Sequence, residues 1–521
     1  MHVNVAILYK QNNPLFSSRR NTSATKMTMT KKLVITFLLL ISIAFAHCLA
    51  FHVDLEEFEP PQQEEQDVPR RGSGGRSGEG WQEESTEFPY HFGKRSFKNW
   101  FQSNEGFVKM LPKFTKRAPN LFRGIENYRF AVFEMEPNTF LVPHHLDADS
   151  VVLVLQGHGV VEFVTDKTKE SFQVTKGDVV RLPSGITHFA TNTNQTVPLR
   201  FVKIIVPVNN PGRFKDYFPA RSQFQQSYFT GFSKEVLSAS FNIPEELVGR
   251  LFSGSQQTGQ GIMRRVSPDQ IKKLTKHATS PSNKHKESKS KHKDISTKLR
   301  PFNLFTQDSV STYTNDFGHF HEAHPESFDQ LQDLRIAVAW TNMSQGSLFL
   351  PHYNSKTTFV TFVENGCARY EMASPYSFQG EQQQKQWWPE QGGEEEEDMS
   401  GQVHKIVSRV CKGDVFIIPA GHPVTLVSHN ENFVSVGFGI HASNCTRTFL
   451  AVVVCVLGQE NVLSNLDTVA TRVTFGVGSK VAEKLFTSQN HSYFAPTTRS
   501  HQQTQEKREP SFQSIFSFAG F

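Results

Sequence analysis

The side chains best suited to chemistry in this sequence are histidines. His145 and His188 stand in segments that read as strands, and neutral imidazoles suit copper or zinc. His144 or Asp147 could act as a further ligand beside His145. A tightly held ion wants four ligands, or three and a water. Two imidazoles fall short of that, so His188 is expected to be a satisfied interior histidine. No cofactor is expected, the alternative being a weakly held copper or zinc ion at His145 and His188. No Ser/His/Asp arrangement, phosphate-cradling glycine loop or Cys-x2-Cys site stands out, so no catalytic residue is assigned and the chain is not expected to be an enzyme.

The segments that carry these histidines recur. Lys176-Gly177-Asp178 runs through Pro183-Ser184-Gly185 to His188 and Asn192, and Lys412-Gly413-Asp414 runs through Pro419-Ala420-Gly421 to His422 and Val424. Each copy reads as a turn, a short apolar strand, a Pro-x-Gly turn and a second strand at hairpin spacing. Arg129-Phe130-Ala131-Val132 matches Arg335-Ile336-Ala337-Val338, and Pro143-His144 matches Pro351-His352, in the same order. A tandem duplication with one polar insertion, the Gln/Glu-rich run Gln379 to Met399, explains the spacing. Ser150 to Leu155, the glycine turn at Gly157 and Val160 to Val164 also read as a hairpin with one face in a packed barrel or sandwich.

At 521 residues the chain is long enough for two or three domains, and its formal charge of +5 is too small to argue for nucleic acid or a membrane surface. Lys31-Lys32 followed by Leu33 to Ala46 reads as a secretory signal peptide within residues 1–50, too short for a stable membrane anchor. Residues 51–87 read as a disordered acidic tail. The first β-rich domain with its helical arm is placed at 88–270, a basic Lys/His-rich linker at 271–300, and the second domain at 301–496, with an acidic insertion at about 375–405 and its own arm. A flexible tail occupies 497–521. The arms are expected over Phe232–Phe241 with Leu247, Val248, Leu251 and Phe252, and over Val462, Leu463, Leu466 and Val469 followed by Val481, Leu485 and Phe486. Their apolar faces lie outside the barrels and need covering, for which an oligomer contact is the natural candidate. Cys367, Cys411, Cys445 and Cys455 remain after leader removal and allow three pairings. A secretory route also makes the sequons at Asn194, Asn342, Asn444 and Asn490 candidate glycosylation sites.

The paired Gly-x5-Pro-x-Gly motifs, Arg123 to Tyr128, Pro143 to Asp149 and Phe349 to Ser355 resemble the plant 7S globulins, the vicilin-like seed storage proteins of the cupin superfamily, with sucrose-binding-like proteins as relatives. The resemblance implies two tandem jelly-roll barrels, each followed by a short α-helical arm, and a homotrimer joined by the arms. It also implies delivery to a protein storage vacuole, a nutrient-reservoir function and mobilisation by vacuolar proteases. A sucrose-binding or metal-binding role is the alternative. Metal-holding relatives use two histidines and a glutamate from one hairpin plus a later histidine. Here those places fall at Pro143, His145, Ser150 and His188, and in the second copy at His352, Asn354, Phe359 and Val424, with His422 two residues early. The first repeat thus keeps two such ligands and the second one.

Overall fold

The computed structural model describes residues 89–222, 225–252, 261–280, 299–376, 403–450, 462–478 and, from 480 to 497, all but 482, 483, 485 and 487. The expected signal peptide, acidic tail, acidic insertion and C-terminal tail, most of the basic linker and Cys455 lie outside these residues.

The first repeat supplies β1 (His91–Phe92), β2 (Lys98–Ser103), β3 (Gly106–Met110), β4 (Arg129–Met135), β5 (Thr139–Leu146), β6 (Ala148–Gln156) and β7 (His158–Val164). It continues with β8 (Lys169–Thr175), β9 (Asp178–Leu182), β10 (Thr187–Asn192), β11 (Leu199–Pro207), β12 (Asp216–Tyr217) and β13 (Met263–Arg265). Helices α1 (Lys234–Phe241), α2 (Glu245–Phe252) and α3 (Pro268–Leu274) flank β13. The second repeat supplies β14 (Phe302–Asn303), β15 (Ser311–Asn315), β16 (Gly318–Ala323), α4 (Asp329–Gln332), β17 (Ile336–Met343), β18 (Ser347–Asn354) and β19 (Thr358–Asn365). There follow β20 (Cys367–Ser374), β21 (His404–Cys411), β22 (Val415–Ile418), β23 (Val424–Val427), β24 (Phe433–Ile440), β25 (Arg447–Phe449), α5 (Thr468–Phe475) and β26 (Phe494–Pro496).

Each barrel is two antiparallel sheets. In the first, β14-β9-β6-β11-β4-β3-β2 faces β12-β5-β10-β7-β8, with β13 added to β5. In the second, β1-β22-β19-β24-β17-β16-β15 faces β21-β20-β23-β18-β25, with β26 on β18. The unbroken apolar run of β6 is explained by its two buried faces. Val152 and Val154 point into the first barrel's core, while Val151, Leu153 and Leu155 join a core shared with the second barrel. Phe130 carries that shared core across, 6.0 Å from Phe362 and 6.2 Å from Phe438.

Two hairpins expected from sequence are corners instead. β6 pairs with β9 and β11, whereas β7 pairs with β8 and β10 in the opposite sheet; β9 and β10 are likewise divided between the sheets. Turn residues announce a reversal but not which sheet receives the next strand. Gly157 makes the corner at φ +83°, where a Cβ would stand 2.5 Å from the carbonyl oxygen of Pro198.

The repeats also trade strands. β1 pairs with β22 of the second barrel, and β14 with β9 of the first. Tyr90 and Phe92 are buried there, and Phe302 stacks on Phe328 at 3.9 Å. The aspartate after each repeated Lys-Gly grips the visitor. Asp178 accepts from Asn303 Nδ2 (2.8 Å) and the Thr175 amide (2.7 Å). Asp414 accepts from the amides of Lys94 and Cys411 (2.9 Å each) and lies 3.1 Å from His91 Nε2.

The start of the expected linker is ordered on the first barrel: α3 has a Ser267/Gln270 capping box, Ile271 is buried, and the Thr279 amide donates to Ser171 O at 2.9 Å. The apolar Ile271 inside a basic run is what anchors it. The arm helices begin at their caps, and Leu485 of the second arm lies outside the described residues. Ser233 caps α1, and Asp467 caps α5 by accepting from the amides of Val469 and Ala470, so Val462, Leu463 and Leu466 precede that helix. Cys367 and Cys411, opposite each other on β20 and β21, form a disulfide, and Cys445 is free.

Candidate functional site

His144 on β5 and His188 on β10 are direct cross-strand neighbours, and their rings lie 4.5 Å apart inside the first barrel. Each Nδ1 donates to a carbonyl two residues back, Val142 O at 2.9 Å and Ile186 O at 3.1 Å, so each Nε2 carries its lone pair inward. Phe218 stacks on His144, with Phe163 beside His188. Lys203 comes from β11 of the opposite sheet, its ammonium 5.2 Å from the Phe133 ring, and Asp216 from β12 lines the same space.

Burial sets the protonation here. Desolvation lowers His144 from its ordinary value, and it lowers His188 further with the help of His144 and Lys203. Lys203 is brought down to about 8 by burial, against the pull of Asp216. The cavity beside His144, Lys203 and Asp216 is ≈ 20 Å³, room for about one water.

His145, expected to join His188, does not. Strand alternation turns its ring outward, where it stacks on Tyr217 at 5.0 Å. It is His144, one residue earlier on β5, that stands opposite His188, and the chain then turns at Asp147, which accepts from the Lys215 amide at 2.6 Å. Ser150 is buried in the place of a carboxylate. Among the described residues no three His, Cys, Asp or Glu side chains are grouped to hold a metal ion.

The second barrel fills the corresponding space with an ion pair. His352 faces Val424, its Nδ1 2.8 Å from Leu350 O. β25 brings Arg447 to the position of Asp216, and Arg447 donates twice to Glu322, at 2.7 and 2.9 Å, with His324 3.2 Å from the same carboxylate. Although desolvation opposes it, Arg447 and His324 hold Glu322 down at about 2. Burial, then Arg447, lowers His352 to about 3. His422 lies outside this cluster, 6.2 Å from Tyr90.

A Ser/His/Asp contact does form, though none was legible in the sequence. His91 Nδ1 is 3.0 Å from Ser408 Oγ and its Nε2 3.1 Å from Asp414. The three meet only because β1 crosses to the second barrel, and Asp414 is already occupied by two amides, so the contact reads as a clasp on that strand. Of the sequons, Asn194, Asn444 and Asn490 lie in loops, while Asn342 sits within β17 between His319 and Val434.

The cupin family profile matches residues 126–248 and 302–482. A vicilin-like seed storage protein of Arabidopsis thaliana is 71% identical over 497 residues, covering 95% of this chain and 100% of its own. The chain belongs to the vicilin-like 7S globulins of the cupin superfamily. A vicilin of Gossypium hirsutum is 40% identical over 79% of this chain and 68% of its own. The solved vicilin of Capsicum annuum superposes with a TM-score of 0.66 at 33% identity, over 78% of this chain and all of that one. This 7S globulin is a seed storage protein, built on the two expected jelly rolls with helical arms.

Proposed function

We propose that this 7S globulin is a reserve of nitrogen and carbon, without catalytic activity, that passes through the secretory pathway to a protein storage vacuole and assembles there as a homotrimer through its arms. The observation that carries the assembly is apolar surface on the arms. Val236 and Phe241 on α1, Leu247 on α2, and Val469, Val473 and Phe475 on α5 are exposed, Val473 by 76%. Contiguous apolar patches of this kind mark protein contacts. The leader at Leu33 to Ala46 supports the secretory route, and the looped sequons Asn194, Asn444 and Asn490 are the expected glycan sites. Vacuolar proteases are expected to cut first within residues 281–298 and 377–402, which are rich in Lys, Gln and Glu.

The first barrel's cavity, at ≈ 20 Å³, is too small for a sugar, which leaves the sucrose-binding alternative only the ≈ 290 Å³ cleft beside Pro351, Glu371 and His404 on the second barrel. A tightly held metal cofactor is disfavoured at His144 and His188, since among the described residues no third His, Cys, Asp or Glu joins them in a metal-holding group. Size-exclusion chromatography with light scattering and metal analysis on protein from mature seed tests the reading. A mass of three chains without stoichiometric metal is expected; a monomer, or a metal surviving dialysis, would overturn it.

A further inference from the structure

β16 carries a second histidine pair, outside the barrel interiors. His319 and His321 are two residues apart on one strand, hence on one face, while Phe320 and Glu322 between and beyond them are buried toward Arg447. The neighbouring strand β15 places Thr314 opposite His319 and Thr312 opposite His321. The Thr314 hydroxyl lies 3.2 Å from His319 Nδ1, and the Thr312 hydroxyl 3.1 Å from His321 Nδ1. A threonine hydroxyl accepts an N–H as well as it donates an O–H. Both rings can therefore stand with Nδ1 donating and Nε2 presenting its lone pair, the arrangement that orients metal-binding imidazoles.

The two rings differ in access. His319 is exposed and His321 half-buried, wedged between Phe305 (5.3 Å) and Trp340 (5.6 Å). The aromatic walls restrict the ring of His321, so less rotamer freedom is lost when a ligand binds. We propose that His319 and His321 chelate a divalent transition cation through their Nε2 atoms on the outer face of the second barrel, copper in preference to zinc. The preference follows from the order of affinities of nitrogen ligands for first-row metals. Two imidazoles leave the remaining coordination positions to water, so the ion stays exchangeable, as a reserve requires.

Trp340 beside His321 supplies a local readout, because a bound copper(II) ion quenches a nearby indole. The full-length protein, stripped with a chelator, is titrated with copper(II) alone while tryptophan fluorescence is followed. Saturable quenching is expected; His319→Ala and His321→Ala should each weaken it about a hundred-fold, since each destroys the chelate. Thr314→Val and Thr312→Val, which remove only the Nδ1 partners, should each weaken it about ten-fold. Trp340→Phe should abolish the quenching while calorimetry still records the binding, and His144→Leu should leave both unchanged. His319 is exposed, so its variant tests the idea even if His321→Ala does not fold. The proposal fails if the parent shows no saturable quenching, if His319→Ala binds copper as tightly as the parent, or if His144→Leu removes the binding.

Discussion

Arg447 and Lys203 are both cations inside a barrel, but their surroundings differ. Arg447 makes two hydrogen bonds to Glu322, whereas Lys203 meets Asp216 only through the electrostatic field. Removing one partner of a buried, bonded pair strands the other, so Arg447→Leu should cost about 3–5 kcal/mol in denaturant unfolding. Removing both, in Arg447→Leu with Glu322→Leu, should recover most of that. Lys203→Met should instead stabilise at pH 7, by about 1–3 kcal/mol. The gain should depend on pH. Folded Lys203 gives up its proton at about 8 and the unfolded chain at 10.5, so between these values the unfolded state binds more protons and the parent gains stability. The advantage of Lys203→Met should therefore shrink from pH 8 to 10.5, and an advantage constant in pH would refute the assignment. His352 acts at the other end of the scale. It stays neutral down to about 3, while the unfolded side chain charges near 6.5. The unfolded state then binds the extra proton and stability is lost as pH falls through that window. His352→Leu should flatten this acid limb, as read by urea midpoints at pH 6.5, 5 and 4. The types of these residues were plain in the sequence, but not their grouping: His144 rather than His145 meets His188 because the alternation of β5 fixes the face.

The exchanged strands are the elements in which the repeated Lys-Gly-Asp motif finds its use. β1 has only two residues, yet its Phe92 and the preceding Tyr90 are buried and Asp414 holds both His91 and the Lys94 amide. Tyr90→Ala should cost about 3–5 kcal/mol, the range for a large buried aromatic. His91→Ala should cost about 1 kcal/mol, the worth of a net hydrogen bond. Unfolding that leaves the second barrel unaffected by either change would show that β1 does not belong to it. Sequence reading found both copies of the motif and the strand after each, since apolar runs bounded by Gly and Pro carry that signal. It misread the partners, because β9 and β10 share a turn but not a sheet. Nor could periodicity place β1 and β14, whose two residues are too few to show a period.

At the scale of the molecule, the exchange, the core around Phe130 and the ion pair of Arg181 with Asp333 join the two barrels. The described residues accordingly fall within one compact unit, Glu84–Phe521. The arms are what remains uncovered. Val473→Glu together with Phe475→Glu should shift the mass in light scattering from three chains to one, with circular dichroism unchanged, since both side chains are exposed in the single chain. A trimer that survives both charges would place the contact elsewhere. Order of motifs, alternation and residue type are written along the chain, and they carry the duplication, the β class and the arms. Which sheet each strand joins, which cysteines pair and which histidine faces the barrel interior are settled by the packing of distant segments. Those outcomes depend on a register and a crossing that bring together residues as far apart as His91 and Asp414, and no local pattern encodes them.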